Sequence, residues 1–173
     1  MAILKVAQMG HPILRAVAHP VPPELIGSDA VQAFLADLRE TCLDEDGLGL
    51  AAPQVHQSIR VVLISIDDVL RTVINPEITF LTDERIATYE GCLSVAGLRA
   101  EVERCARVRL VALDEHGKPF EVEAEDMEAV VIQHECDHLD GVLYVDRCDP
   151  RTLAFLDEYR RWGPIEPYFS EEE

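Results

Sequence analysis

Positive charge is what this chain lacks most: 15 lysines and arginines face 33 aspartates and glutamates, a formal net charge of −18. No basic stripe is present to neutralise phosphates, which argues against direct DNA binding. The acid is spread along the chain, with a short terminal run at Glu171 to Glu173, and reads as a solvated surface. Long apolar runs are also missing. None approaches the ~20 residues of a membrane span, so no membrane partner is expected. The opening MAILKVAQMGHPILR has no long apolar stretch with a small-residue cleavage site, and it is not an Arg/Ser-rich amphipathic transit peptide. The expected location is cytoplasmic. Paired cysteines are lacking too. Five cysteines, Cys42, Cys92, Cys105, Cys136 and Cys148, show no paired spacing, which argues against a secreted disulfide framework. A metal or catalytic role for one of them fits better.

Repeats, low-complexity segments and linkers are absent as well. The 173 residues are 48% hydrophobic and 28% charged, enough to bury one core. Ser28 to Asp44 reads as an amphipathic helix capped by Ser28, with Val31, Phe34, Leu35, Leu38 and Cys42 on one stripe. A Gly-rich loop, DEDGLGLAAPQ, follows. Short strands come next: IRVVLISI is apolar enough to be buried, and Pro76 in VINPEITF suits an edge or a bulge. RVRLVALD and PFEVEAE flank a turn at EHGK, and Val108, Leu110 and Ala112 alternate with Arg107, Arg109 and Val111. The helical period returns from Asp126, a candidate N-cap, to Leu139, with Gly141 as a candidate C-cap. Met127, Val131, His134 and His138 share a face expected to point inward. A last helix is expected from Asp149-Pro150 to about Trp162. The pattern predicts an α+β domain over residues 1–163, with small antiparallel or mixed sheets around a central metal-binding helix, and a loose acidic tail at 164–173.

The helix earns that description from QHECDHLDG. Histidines four apart lie on one helical face, which suits a single metal ion. The plainer reading is a core helix, but two inward histidines and a glutamate would all need buried partners. A catalytic tetrahedral site takes three protein ligands and keeps one position open, so a third ligand is needed. Tyr144 stands where a metzincin has its third histidine, and a phenol of pKa near ~10 is a poor ligand at neutral pH. Glu158, on the next predicted helix, remains possible on spacing and would make the chain a metallopeptidase. Cys136 lies roughly 200° around the helix from the histidines and faces away. Cys148 is in a predicted loop and stays open. Cys92, in EGCLS beside the turn-permitting Gly91, is the better candidate, although a lone cysteine there is more often packing.

Three stretches taken in order, GLGLAAPQ (Gly47 to Gln54), EGCLS (Glu90 to Ser94) and QHECDHLDG, resemble peptide deformylase. The resemblance runs from GHPILR through LDEHGKPFEVEA to GVLYVD. It implies Cys92, His134 and His138 as metal ligands and Glu135 as general acid/base. It also implies the Gln54 side-chain amide and the Leu93 backbone N–H as donors to the developing oxyanion. Gly49 and Leu48 would line the substrate cleft, with Glu90 and Arg99 close by as further substrate-binding positions. The implied reaction removes formyl from the N-terminal N-formylmethionine of nascent polypeptides and releases formate. The implied cofactor is one divalent ion, Fe2+ above all, with Zn2+, Ni2+ or Co2+ able to substitute. Two departures stand out. VAGLRAE lacks the proline often seen after the second motif. The ending FLDEYRRWGPIEPYFSEEE is acidic, whereas well-known bacterial members dock on the ribosome through a basic terminal helix, so ribosome association by that route is not expected.

Overall fold

The structure, a computed structural model, describes residues 2–164; residues 165–173, which hold most of the tail expected to be loose, lie outside them. Ser28 caps α1 (Asp29–Asp44), its hydroxyl accepting the Val31 amide. Leu35, Leu38 and Cys42 are buried and Val31 and Phe34 partly so, as the stripe requires. The next stretch is not a plain loop. It forms a short strand β1 (Gly49–Ala51) and a 3-10 turn (Ala52–Val55), because Gln54 turns the chain by accepting the Ala51 amide at 2.8 Å through Oε1.

The chain then lays down β2 (Val61–Ile66), β3 (Val69–Phe80), β4 (Arg85–Cys92), β5 (Val95–Cys105), β6 (Arg107–Leu113) and β7 (Pro119–Glu125). After these come α2 (Asp126–Leu139), β8 (Ala154–Phe155) and α3 (Leu156–Trp162). One sheet has the order β1-β2-β3-β6-β7 and the other β4-β5-β8, and every pairing among these strands is antiparallel. The apolar run of β2 is explained by burial on both faces. Val62, Ile64 and Ile66 pack with Ala129, Ile132 and Leu139 of α2, while Val61 and Leu63 pack with Leu35 and Leu38 of α1. The five-stranded sheet is therefore sandwiched, and α2 lies between it and the second sheet.

Pro76 sits at a bulge. Pairing steps from Ile74–Leu113 to Glu77–Val111, one extra residue on β3. Asn75 supplies the bend with φ +53 and clamps Val21, accepting its amide at 2.9 Å and donating to its carbonyl at 2.8 Å. At the far end of α2, Gly141 is one residue past the cap, Asp140, with φ +73; a Cβ there would stand 2.8 Å from the Arg15 carbonyl. Three expectations need correction. Asp126 has φ +52 and the cap position falls to Glu125, which makes no side-chain cap bond. Met127 is 52% exposed rather than inward. The last helix is broken: Pro150–Thr152 is a 3-10 turn capped by Asp149, and strand pairing of Ala154 and Phe155 with β5 overrides the helical period before α3 begins.

Replacing Asn75 by alanine removes both hydrogen bonds and leaves a Cβ in the left-handed region without the amide that offsets its strain. A loss of about 2–3 kcal/mol in urea unfolding is expected, and Asn75→Gly should lose less.

Candidate metal centre and its cleft

Cys92 ends β4, where the pairing register shifts between Glu90 and Cys92. Gly91 fills the shift, and a Cβ there would lie 3.2 Å from the Arg99 guanidinium carbon. This irregularity brings the thiol toward α2, with Cys92 Sγ 3.3 Å from His138 Nε2. One donor atom from each of Cys92, His134 and His138 lies within 4.8 Å of the others. The two imidazoles meet edge to face, with centroids 5.1 Å apart.

The orientation of His134 is set from behind. Its Nδ1 lies 2.7 Å from Glu90 Oε2, and an ionised carboxylate can only accept, so this nitrogen donates. Nε2 is left to face the centre. Arg104 holds Glu90 in turn, with Nε on Oε1 at 2.7 Å and a second nitrogen on Oε2 at 3.0 Å. It also reaches Asp137 at 2.5 Å, and Arg147 closes on the same carboxylate at 2.7 Å. Arg104 is 3% exposed and Glu90 6%. Burial works against the Glu90 carboxylate, yet Arg104 and His134 hold its pKa down from 4.5 to about 2. Burial also disfavours a charged His134, but its hydrogen bonds to Cys92 and Glu90 raise it to about 10. The thiol–bis-imidazole donor set fits a divalent ion.

Glu135 points into the same space. Burial pushes its pKa up to about 7, and its buried Oε2 has no hydrogen-bond partner among the described residues. Gly49 makes room for it: a Cβ at that position would fall 2.5 Å from Glu135 Oε1. Gln54, 2% exposed, turns its amide nitrogen to Cys92 Sγ at 3.5 Å and to Ser94 Oγ at 3.3 Å. Leu93 lines the cleft beside it, its carbonyl accepting from Gln8 Nε2 at 3.0 Å. The cleft measures about 570 Å³ and also takes in Leu48, Gly49, Arg99, Val131 and Met127.

The structure therefore brings together Cys92, His134, His138, Glu135, Gln54, Leu93, Gly49, Leu48 and Arg99. Glu90 borders the cleft too, its carboxylate hydrogen-bonded to Arg104 and His134. Glu158 is not among the gathered donors; it is exposed on α3 and accepts from Trp162 at 3.0 Å. Cys136 is 7% exposed and packs toward the sheet, as helix geometry predicts. Cys148 bonds its thiol to the Val145 carbonyl at 3.4 Å and is outside the triad. Tyr144 is buried beside the centre, its ring 6.2 Å from that of His134. Sequence reasoning missed Arg104, Asp137, Gln8 and Ser94. The parity of β5, which puts Ala100, Val102 and Arg104 on one buried face, carried the signal for the arginine.

The sequence model of the family described as Polypeptide deformylase matches residues 3–154. A peptide deformylase of Stutzerimonas stutzeri is 44% identical over 149 residues, covering 84% of this chain and 87% of the relative. Among solved structures, a peptide deformylase from Thermotoga maritima is 36% identical with a TM-score of 0.82, covering 87% of this chain and 100% of that one. A class I type b peptide deformylase from Acinetobacter baumannii with Met-Ala-Ser bound is 33% identical with a TM-score of 0.80, covering 84% of this chain and 98% of that one.

Arg104→Met would leave the buried Glu90 carboxylate with His134 alone, while the partly buried Asp137 keeps Arg147. The expected cost at pH 7 is about 3–5 kcal/mol in urea unfolding. Glu90 has a depressed pKa, so its contribution in the parent chain is full above 4.5 and fades as the pH falls toward about 2. The gap between parent and variant should therefore narrow when unfolding is repeated at pH 4.

Proposed function

The chain belongs to the polypeptide deformylase family, metal-dependent hydrolases that take the formyl group from N-terminal formylmethionine and release formate, and on that premise we propose how its own residues divide the work. Residues 1–163 form the catalytic domain, with α2 as its metal-binding helix through the His-Glu-x-x-His motif. Cys92, His134 and His138 hold one divalent ion, Fe2+ in preference to Zn2+, Ni2+ or Co2+. The convergence of one thiol and two imidazoles within 4.8 Å carries this reading. When bound, the ion supplies Lewis acidity and activates water near neutral pH.

Glu135 takes the proton from the attacking water and returns it to the leaving amine. Its buried, partnerless oxygen and its position over Gly49 support that role. The Gln54 side-chain amide donates to the oxyanion that develops on the formyl oxygen, and the Leu93 backbone N–H donates to the same atom. Oε1 of Gln54 is tied to the Ala51 amide, so its NH2 group faces the centre before substrate arrives. Leu48, Gly49 and Arg99 line the path of the substrate, and Glu90 acts through His134. The relative with Met-Ala-Ser bound supports a methionyl peptide as product in the same cleft. No helix among the described residues is long and apolar enough to cross a membrane. We place the chain in the cytoplasm, acting on nascent chains.

Glu135→Gln should keep one metal ion per chain and lose about a hundredfold to ten-thousandfold in kcat on formyl-Met-Ala-Ser, measured anaerobically with Fe(II). Full activity would sink the assignment of the base. Separately, Cys92→Ala should lose bound metal by elemental analysis and Glu158→Ala should retain it. The opposite pattern would favour the metallopeptidase reading.

A further inference from the structure

The end of the described chain takes a part in the cleft that its sequence does not announce. Past α2 the backbone is stitched to β5: the Asp149 amide donates to the Glu101 carbonyl at 3.0 Å, and the Glu101 amide donates to Thr152 Oγ1 at 2.9 Å. β8 continues the contact, pairing Ala154 with Arg99 and Phe155 with Leu98. Farther on, the ring of Tyr159 lies 4.8 Å from that of Tyr89. Leu156 is pinned between these two anchors, half-buried, and lines the same cleft as Cys92 and His134. Leu98 lines it from β5. The cleft is also lined by Leu48, 62% exposed, and Met127, 52% exposed. The match to the family ends at residue 154, so Leu156 lies just beyond it.

Apolar side chains gathered at a cleft mouth gain most when something covers them. Under the reading given above, the formyl group of the substrate sits at the centre. The peptide beyond the methionine must then leave along this rim. Glu45 and Asp46 border the same cleft and place negative charge on its edge. We infer that Leu156 is a specificity-determining residue: with Leu98 it packs against side chains that follow the formyl-methionine, favouring apolar residues there over small polar or acidic ones. The β8–β5 pairing and the Tyr159–Tyr89 contact hold it in place. This inference rests on the deformylase reading of the centre.

The test uses the full chain loaded with Fe(II) under anaerobic conditions. Its substrates are formyl-Met-X-Ala and formyl-Met-Ala-X, with X as Leu, Ser or Asp. The parent chain should prefer Leu over Ser at one of these positions by roughly tenfold in kcat/KM, with Asp the poorest. Leu156→Ser should bring the Leu/Ser ratio to about one, the change lying in KM, and Leu156→Met should restore the preference. A merely structural role would lower both peptides alike and leave the ratio standing. Equal turnover of Leu and Ser peptides by the parent, or a ratio that survives in Leu156→Ser, overturns the inference while leaving deformylation intact. Failure to deformylate any of the peptides overturns the reading of the centre and the inference with it.

Discussion

A guanidinium and a carboxylate meet where the two sheets and α2 come together, both almost out of water, and neither is tolerable there without the other. Taking such charges out of solvent costs several kcal/mol apiece, and only close, well-directed pairing offsets it. Glu90 comes from β4, Arg104 from β5, and Asp137 and His134 from α2. The pair therefore sets how α2 is rotated against the β4–β5 hairpin. It also decides which nitrogen of His134 faces the thiol. The geometry of the centre follows from an electrostatic constraint behind it.

The packing of β2 explains how that constraint can be met in so short a chain. A strand buried on both faces lets α1 and α2 grip one sheet from opposite sides, which leaves the free side of α2 for the hairpin that carries Cys92. Ala129, Ile132, Cys136 and Leu139 of α2 face the sheet, and the two histidines face the thiol of Cys92. One helix thus belongs to the core and to the site at once.

Elements specified by local period were legible in the sequence. The stripe of α1, the continuous apolar run of β2 and the alternation of β6 all lie where periodicity puts them. So does the pair of histidines on α2, because spacing along a helix is itself geometry. Cys92 stood out beside Gly91 and was singled out by its register with two other motifs, since EGCLS alone does not separate a ligand from a packed cysteine. What escaped was decided across the chain. β1 is three residues long and exists because β2 pairs with it. The segment after Asp149 has a good helix start, yet β5 offers it a strand partner and prevails at Ala154 and Phe155. Arg104 was hidden by the habit of reading an arginine as surface, although its place among Ala100 and Val102 made it a buried cation in need of partners.

The close approach of Gly49 to Glu135 has a consequence for the timing of events. A glutamate side chain free in a cleft samples several rotamers, and confining it costs on the order of 1–2 kcal/mol. Here the absent Cβ lets the backbone of β1 come up against the carboxylate and fill the room those rotamers need. That ordering happens once, when the protein folds, and is not repeated at each encounter with a peptide. Under the role proposed for Glu135, a carboxyl held this way would begin every cycle from the same position, so successive turnovers would share one starting geometry.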